Sequence, residues 1–234
     1  MYNPVKHIRK LKQTMGNEKE SSIGEKIRSV RQSRHMSLRA LAAKANVSPS
    51  MLSQIENNRA NPSVTTLYNL AEALSITVSY FFPDPDEPPE RLMEAIVLTD
   101  KTASELRVDY GNGMVLIAQP ALKSPVVSLA SRLAIELKSG VRWERLTATE
   151  EKGIQFLEIQ YRPGTSSGET MSQHSGREFG LVLAGVLTLE VGSERYTLKA
   201  GDSIIFDSTT PHRLSNEFSV TMRAIWVVIN HNME

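Results

Sequence analysis

Three side chains in the second half of the chain have the types and spacing of a metal site: His174, Glu178 and His212. In an extended strand, residues four apart point to the same face, so His174 and Glu178 can share one side of a sheet; a helix would align them as well. Gly176 between them, the alternating Leu181, Leu183 and Leu187, Leu189, and a turn at Gly185 favour the strand. His212 follows on another strand, after turns at Gly201-Asp202 and Thr210-Pro211, so closure of a barrel brings its imidazole to the same interior. Two imidazoles and one carboxylate form a facial set suited to iron(II), manganese, nickel or zinc, with positions left open for water or ligand. The chain has no cysteine, which excludes disulfides, thiol nucleophiles, iron-sulfur clusters and thiolate zinc sites. The competing reading is a pair of hydrogen-bonded interior histidines lining a metal-free pocket. His7, His35 and His231 fall in tails or at a helix end and receive no metal role.

The elements that must position these groups lie in one of two unlike halves. A length of 234 residues, with 40% hydrophobic and 23% charged composition, describes one large or two small soluble domains. The net charge of +1 is an average: residues 1–80 carry twelve Lys or Arg against five Asp or Glu, and residues 81–234 carry fifteen against twenty-one. The first half is therefore basic and the second acidic. Residues 1–22 read as a basic flexible arm, 23–82 as an all-α domain of four to five helices, and 83–90 as a linker rich in proline and acid, within FFPDPDEPPE. Residues 91–234 read as an all-β domain, from short alternating runs of Val, Ile, Leu and Thr between Gly, Pro, Ser and Asp turns. No apolar segment has signal-peptide or membrane-span length, so the reading is a cytoplasmic protein without membrane contact.

In the helical half, Ile23, Ile27 and Val30 mark the buried face of a first helix. Ser37 caps a second, with Leu38, Leu41, Ala42 and Ala45 as its stripe. Asn46 suits a left-handed turn, and Ser48-Pro49 starts a short third helix with Leu52 and Ile55 inward. After Asn61-Pro62-Ser63, a fourth helix carries Leu67, Leu70, Ala71 and Leu74.

The run SLRALAAKANVSPSMLSQIENNRANPSVTTLYNLAEAL resembles the helix-turn-helix domain of the phage-repressor and xenobiotic-response-element type over about 60 residues. The resemblance implies that the third helix enters the major groove of double-stranded DNA, with Ser48, Ser50 and Gln54 as base-reading candidates. Gln54 ranks first, since an amide can pair with adenine. Arg39, Asn57 and Arg59 are the implied phosphate contacts, and Arg31 with Glu56 an internal ion pair. Pro49 departs from relatives that carry a long polar reader there. One protomer presents one reading helix, so a twofold homodimer, or a higher homo-oligomer, on an inverted-repeat operator is expected.

Residues of about 155–230 resemble the two motifs of the cupin, or jelly-roll, barrel. Gly164, His174, Glu178 and Gly185 fall in the first, and Gly201, His212 and Asn216 in the second. Ser172 stands where the family has a further histidine, and Asp207 and Thr209 replace a usual Pro and Gly. Ser172, His174, Glu178 and His212 then line the implied effector pocket. Arg177 is expected to point away from it, and Trp226 to be core. A helix-turn-helix joined to a cupin is the architecture of bacterial transcription regulators, mostly repressors, that answer small-molecule metabolites. The alternative is a cupin metalloenzyme of the non-haem iron epoxidase kind that retains a helix-turn-helix, and a third is a pure interaction module. On the regulator reading, deletion of residues 1–82 abolishes DNA binding and leaves the ligand site intact.

Overall fold

A computed structural model describes residues 22–82, the backbone of 106–109 and 115–118, and residues 125–230. Residues 1–21 of the arm expected at 1–22, and the linker at 83–90, lie outside the described residues. Ser22, assigned to that arm, instead starts the helical domain: its hydroxyl accepts the Glu25 N–H while the Glu25 carboxylate accepts the Ser22 N–H. This reciprocal capping box satisfies two donors that a helix start leaves unpaired.

The helical domain consists of α1 (Ile23–Ser33), α2 (Leu38–Lys44), α3 (Pro49–Glu56) and α4 (Val64–Ala73), followed by a 3-10 turn at Val78–Phe81. Each α-helix begins on a serine, Ser22, Ser37, Ser48 or Ser63, whose hydroxyl accepts an N–H of the first turn. Such caps contribute about 1 kcal/mol each. Between α2 and α3 the chain reverses at Asn46, which has φ +52°, and the Val47 N–H returns to the Ala42 carbonyl at 2.9 Å. The apolar stripes then converge, with Ile23, Ile27, Leu41, Leu52, Ile55, Leu67, Leu70 and Leu74 all buried.

The β domain folds into two antiparallel sheets. One has the order β1 (Leu106–Asp109), β2 (Val115–Ala118), β3 (Ala134–Glu136), β4 (Val141–Arg145), β5 (Ile154–Tyr161), β12 (Met222–Ile229), β7 (Arg177–Ala184), β10 (Ser203–Asp207). The other has the order β6 (Thr165–Ser166), β11 (His212–Asn216), β8 (Val186–Val191), β9 (Glu194–Lys199). β7 and β8 are consecutive yet belong to different sheets, and the chain changes sheet at Gly185.

That change splits the leucine pattern. Leu187 and Leu189 are fully buried, whereas Leu181 and Leu183 are each 42% exposed on the outer face. Strand parity requires this: on β7 the inward residues are Glu178 and Val182, so the odd-numbered leucines point out.

The two domains touch. The Thr65 N–H on α4 donates to the Ser167 carbonyl at 3.0 Å, and its hydroxyl donates to the same oxygen at 3.3 Å. The Thr77 hydroxyl donates to the Glu150 carboxylate, and the Arg145 guanidinium lies over the Phe82 ring. The fourth helix of the helical domain thus lies against the barrel.

Candidate functional sites

The buried side of α3 is fixed by one charge pair. Glu56, 1% exposed, accepts Arg31 Nε at 2.6 Å and Arg31 Nη2 at 2.8 Å, and Arg31 Nη1 also donates to the Met36 carbonyl at 3.0 Å. The bidentate geometry ties α1 to α3 and orients the opposite side of α3 toward solvent. On that side Ser48, Ser50 and Gln54 are all exposed. Ser48 Oγ accepts the Met51 N–H at 3.1 Å and sits 3.0 Å from Ser50 Oγ, so it is first of all the cap of α3. Arg39 and Arg59 are exposed. Asn57 is exposed too, but its amide donates to the Ser53 carbonyl at 2.7 Å and its oxygen accepts Arg28 Nη2 at 3.2 Å, which closes the end of the helix.

Inside the barrel, His174, Glu178 and His212 come together with all three side chains buried, their donor atoms within 4.8 Å of one another. Even strand spacing is not what aligns the first pair. β7 starts at Arg177, and His174 lies in the preceding loop, held where its N–H donates to the Ser208 carbonyl at 3.0 Å. Gly176 makes the bend, with φ +110°; a Cβ there would fall 2.2 Å from the Ile229 carbonyl oxygen. Only glycine fits both demands.

The imidazole Nε2 atoms of His174 and His212 lie 2.9 and 3.0 Å from Glu178 Oε1. Their Nδ1 atoms face backbone carbonyls instead, of Ser175 at 3.2 Å and Thr210 at 2.9 Å. Donation from Nδ1 leaves a lone pair on each Nε2, aimed into the site, the tautomer that ligating histidines adopt. His174 Nε2 and Glu178 Oε1 meet no partner in hydrogen-bond geometry despite their proximity. Two lone pairs and a carboxylate oxygen this close repel one another unless a cation, proton or metal, lies among them. Burial alone would raise the Glu178 carboxyl, but the facing imidazoles, His174 and then His212, outweigh it and hold it well below the usual carboxylate range. Burial likewise opposes the His212 imidazolium, and the Glu178 carboxylate more than offsets it, raising the His212 pKa. The donor set fits a divalent cation.

A profile of the helix-turn-helix family matches residues 27–81, and one of the cupin domain family matches residues 157–228. The chain joins a helix-turn-helix domain to a cupin domain. It is 25% identical to the HTH-type transcriptional regulator PuuR of Escherichia coli over 202 residues, covering 86% of this chain and 91% of that one. Over 58 residues, 25% of this chain and 40% of the relative, it is 45% identical to the immunity repressor protein of Bacillus phage phi105. The crystal structure of an HTH_3 family transcriptional regulator from Vibrio cholerae shares the fold, with TM-score 0.58 and 21% identity over 88% of this chain and 94% of that one. Among the described residues no helix is long and apolar enough to cross a membrane.

The cupin motif residues now have visible duties. Ser172, in the place of a family histidine, pairs with His212 through backbone bonds of 2.7 and 2.8 Å, and its hydroxyl donates to the His212 carbonyl at 3.2 Å. It aligns the loop before His174 with β11. Asn216 is buried and structural, its amide donating to the Tyr161 and Val220 carbonyls at 2.8 Å each. Arg177 points outward, its guanidinium over the Phe179 ring.

Two residues of the cupin site were not assigned to it from sequence. Trp226 is core as expected, at 3% exposure, but its Nε1–H also donates to Glu178 Oε2 at 2.6 Å. Gly180, opposite it on β7, makes the room: a Cβ there would meet Trp226 Cζ3 at 2.2 Å. A buried indole needs an acceptor, and a glycine facing a tryptophan across a ladder signals a ring lying flat, but the register had to be known first.

The second is Tyr68, from α4 of the helix-turn-helix domain. Its ring stacks on His174 with centroids 4.5 Å apart and planes 5° from parallel. Burial, and then the Glu178 charge, push its hydroxyl well above the ordinary tyrosine range, so it stays a donor. On α4 its spacing reads as ordinary helix surface, and only the docking of two domains reveals its target.

Proposed function

We propose that this helix-turn-helix cupin protein is a DNA-binding transcriptional regulator, acting as a repressor, that reads an inverted-repeat operator as a dimer and binds a small-molecule effector in its barrel. The observation that carries the reading is α3, whose buried side is locked by Arg31 and Glu56 while Ser48, Ser50 and Gln54 stay exposed. Gln54 reads a base edge, Ser50 assists, and Ser48 contributes through what its capping duty leaves. Arg39 and Arg59 meet phosphates, and Asn57 holds the end of α3 against Arg28. The relatives that span most of the chain are regulators, which favours this reading over a metalloenzyme.

In the barrel, His174, Glu178 and His212 would hold a divalent ion, iron(II), manganese, nickel or zinc, which would supply a Lewis-acidic centre there. Ser172 positions the loop, and Trp226 keeps one carboxylate oxygen engaged so that the other faces the imidazoles.

The dimer is formed through the outer face of the larger sheet. There Phe156, Val227, Phe179 and Ile205 form a row across β5, β12, β7 and β10, and Ile225 and Leu181 lie beside it. Phe156 is 39% and Ile205 57% exposed, a contiguous apolar surface of the kind that partners cover.

Selection from a random duplex library with the full chain tests the reading. It should enrich an inverted repeat whose half-sites lie about one helical turn apart. Enrichment of no sequence, or of a lone half-site, would refute it. On the same preparation, Leu181→Asp should convert the dimer to monomer by light scattering and abolish binding to the repeat.

A further inference from the structure

The residue that closes the barrel comes from the reading domain. Besides stacking on His174, Tyr68 meets Trp143 edge-on with centroids 5.6 Å apart, and its hydroxyl donates to Gln155 Oε1 at 3.2 Å. Gln155 is 2% exposed, so this acceptor belongs to the barrel interior. Between Tyr68 and the triad the cavity measures about 20 Å³, walled by Trp143, Leu157, Ile159, Leu214 and Trp226. That holds one water or ion, for which roughly 10–15 Å³ suffices. A metabolite needs on the order of 300 Å³. Any organic ligand that reaches His174 must therefore take the space of the Tyr68 ring.

Tyr68 does not leave alone. It lies one turn along α4 from Thr65, whose N–H and hydroxyl both donate to the Ser167 carbonyl. The approach at that point admits no side chain: a Cβ on Gly168 would fall 2.6 Å from Thr65 Oγ1. Withdrawing the ring strains or moves α4, which packs against α2.

We propose that Tyr68 is a built-in occupant of the effector site, and that the effector is a ring compound of the phenol class that takes its place between His174, Trp143 and Gln155. This rests on the reading of the barrel as an effector site. The slot describes its guest: a flat face for His174, an edge for Trp143 and a hydroxyl for Gln155. Binding exchanges one aromatic stack for another, so affinity depends on the cost of freeing Tyr68, and each bound ligand releases α4 from the barrel.

The probe is p-cresol, the tyrosine side chain as a free molecule, titrated into the full chain and into Tyr68→Ala. The chain has two tryptophans, Trp143 and Trp226, and both line this cavity, so their emission reports on it. Tyr68→Ala should bind p-cresol at least tenfold more tightly than the wild type, with a change in that emission. Equal affinity within twofold, or no binding to either protein, overturns the proposal. Should Tyr68→Ala fail to fold by circular dichroism, Tyr68→Phe keeps the ring and loses only the Gln155 bond; severalfold tighter binding supports the proposal and no difference overturns it. On duplex DNA selected as above, p-cresol should change wild-type affinity at least threefold and leave Tyr68→Ala unaffected. A shift absent from the wild type, or equal in both proteins, overturns the coupling. A chain that selects no DNA refutes the regulator reading and leaves the p-cresol comparison standing, so the two fail separately.

Discussion

The reading helix and the barrel triad are built in opposite ways. Ser48, Ser50 and Gln54 lie within one short stretch of chain, exposed, on a helix whose start is set by its own Ser48 and Pro49. His174, Glu178 and His212 come from a loop, a strand and a second strand in the other sheet, and are buried against Trp226 and Tyr68. A surface made by one local element can change its side chains without disturbing the fold. A buried site assembled from distant segments cannot, because its side chains are packed against and bonded to several elements at once. In a regulator this separates operator choice, which is free to vary, from the sensing centre, which is tied to stability.

Arg31→Ala should have the largest effect, because it leaves the buried Glu56 carboxylate with Arg28 alone at 3.6 Å. A loss of about 3–5 kcal/mol is expected, measured by urea unfolding. It would show that the inner side of α3 is as intolerant as the barrel; a loss under about 0.5 kcal/mol would break the contrast between inner and outer faces. Next, Glu178→Leu strands the Trp226 N–H and both imidazoles, and should cost roughly 2–3 kcal/mol. Elemental analysis of the purified chain should then show bound divalent metal in the wild type and none in the variant; equal metal in both would remove the triad as its holder. Gln54→Ala should leave the melting temperature unchanged and weaken the selected repeat by about 1–3 kcal/mol, with much less loss on random DNA. Equal loss on both would reduce Gln54 to a backbone contact. Smallest, Arg59→Ala should weaken all duplexes alike and lower the slope of log affinity against log salt by about one.

Legibility followed the same division. The four helices, the left-handed Asn46 and the buried stripe are local and periodic, and the structure carries each as expected. The Arg31–Glu56 pair came from resemblance and is present with both hydrogen bonds. The triad was readable as a set, yet the reason given for its alignment was wrong: His174 precedes the strand, and a bend at Gly176 brings it to Glu178. The alternation of Leu181 and Leu183 marks a strand but not its inward face; Glu178 sets the inward parity, so both leucines point out. The division of labour at residue 82 also needs adjusting. Deleting the helical domain takes Tyr68, one wall of the cavity, with it.

By itself the sequence determined what short-range forces decide: where helices start and stop, which face of each is apolar, that no thiol chemistry is available, and that basic and acidic charge are segregated along the chain. Caps, turns and periodicity act over a few residues, so their outcome is written in the residues concerned. Tertiary structure alone decided that an indole from β12 would hold the triad's carboxylate and that a tyrosine from the DNA-reading half would close the barrel. Those contacts join residues 48 and 106 positions apart. No local preference encodes such a pairing; it follows from strand register and from which surface α4 buries when the two domains meet.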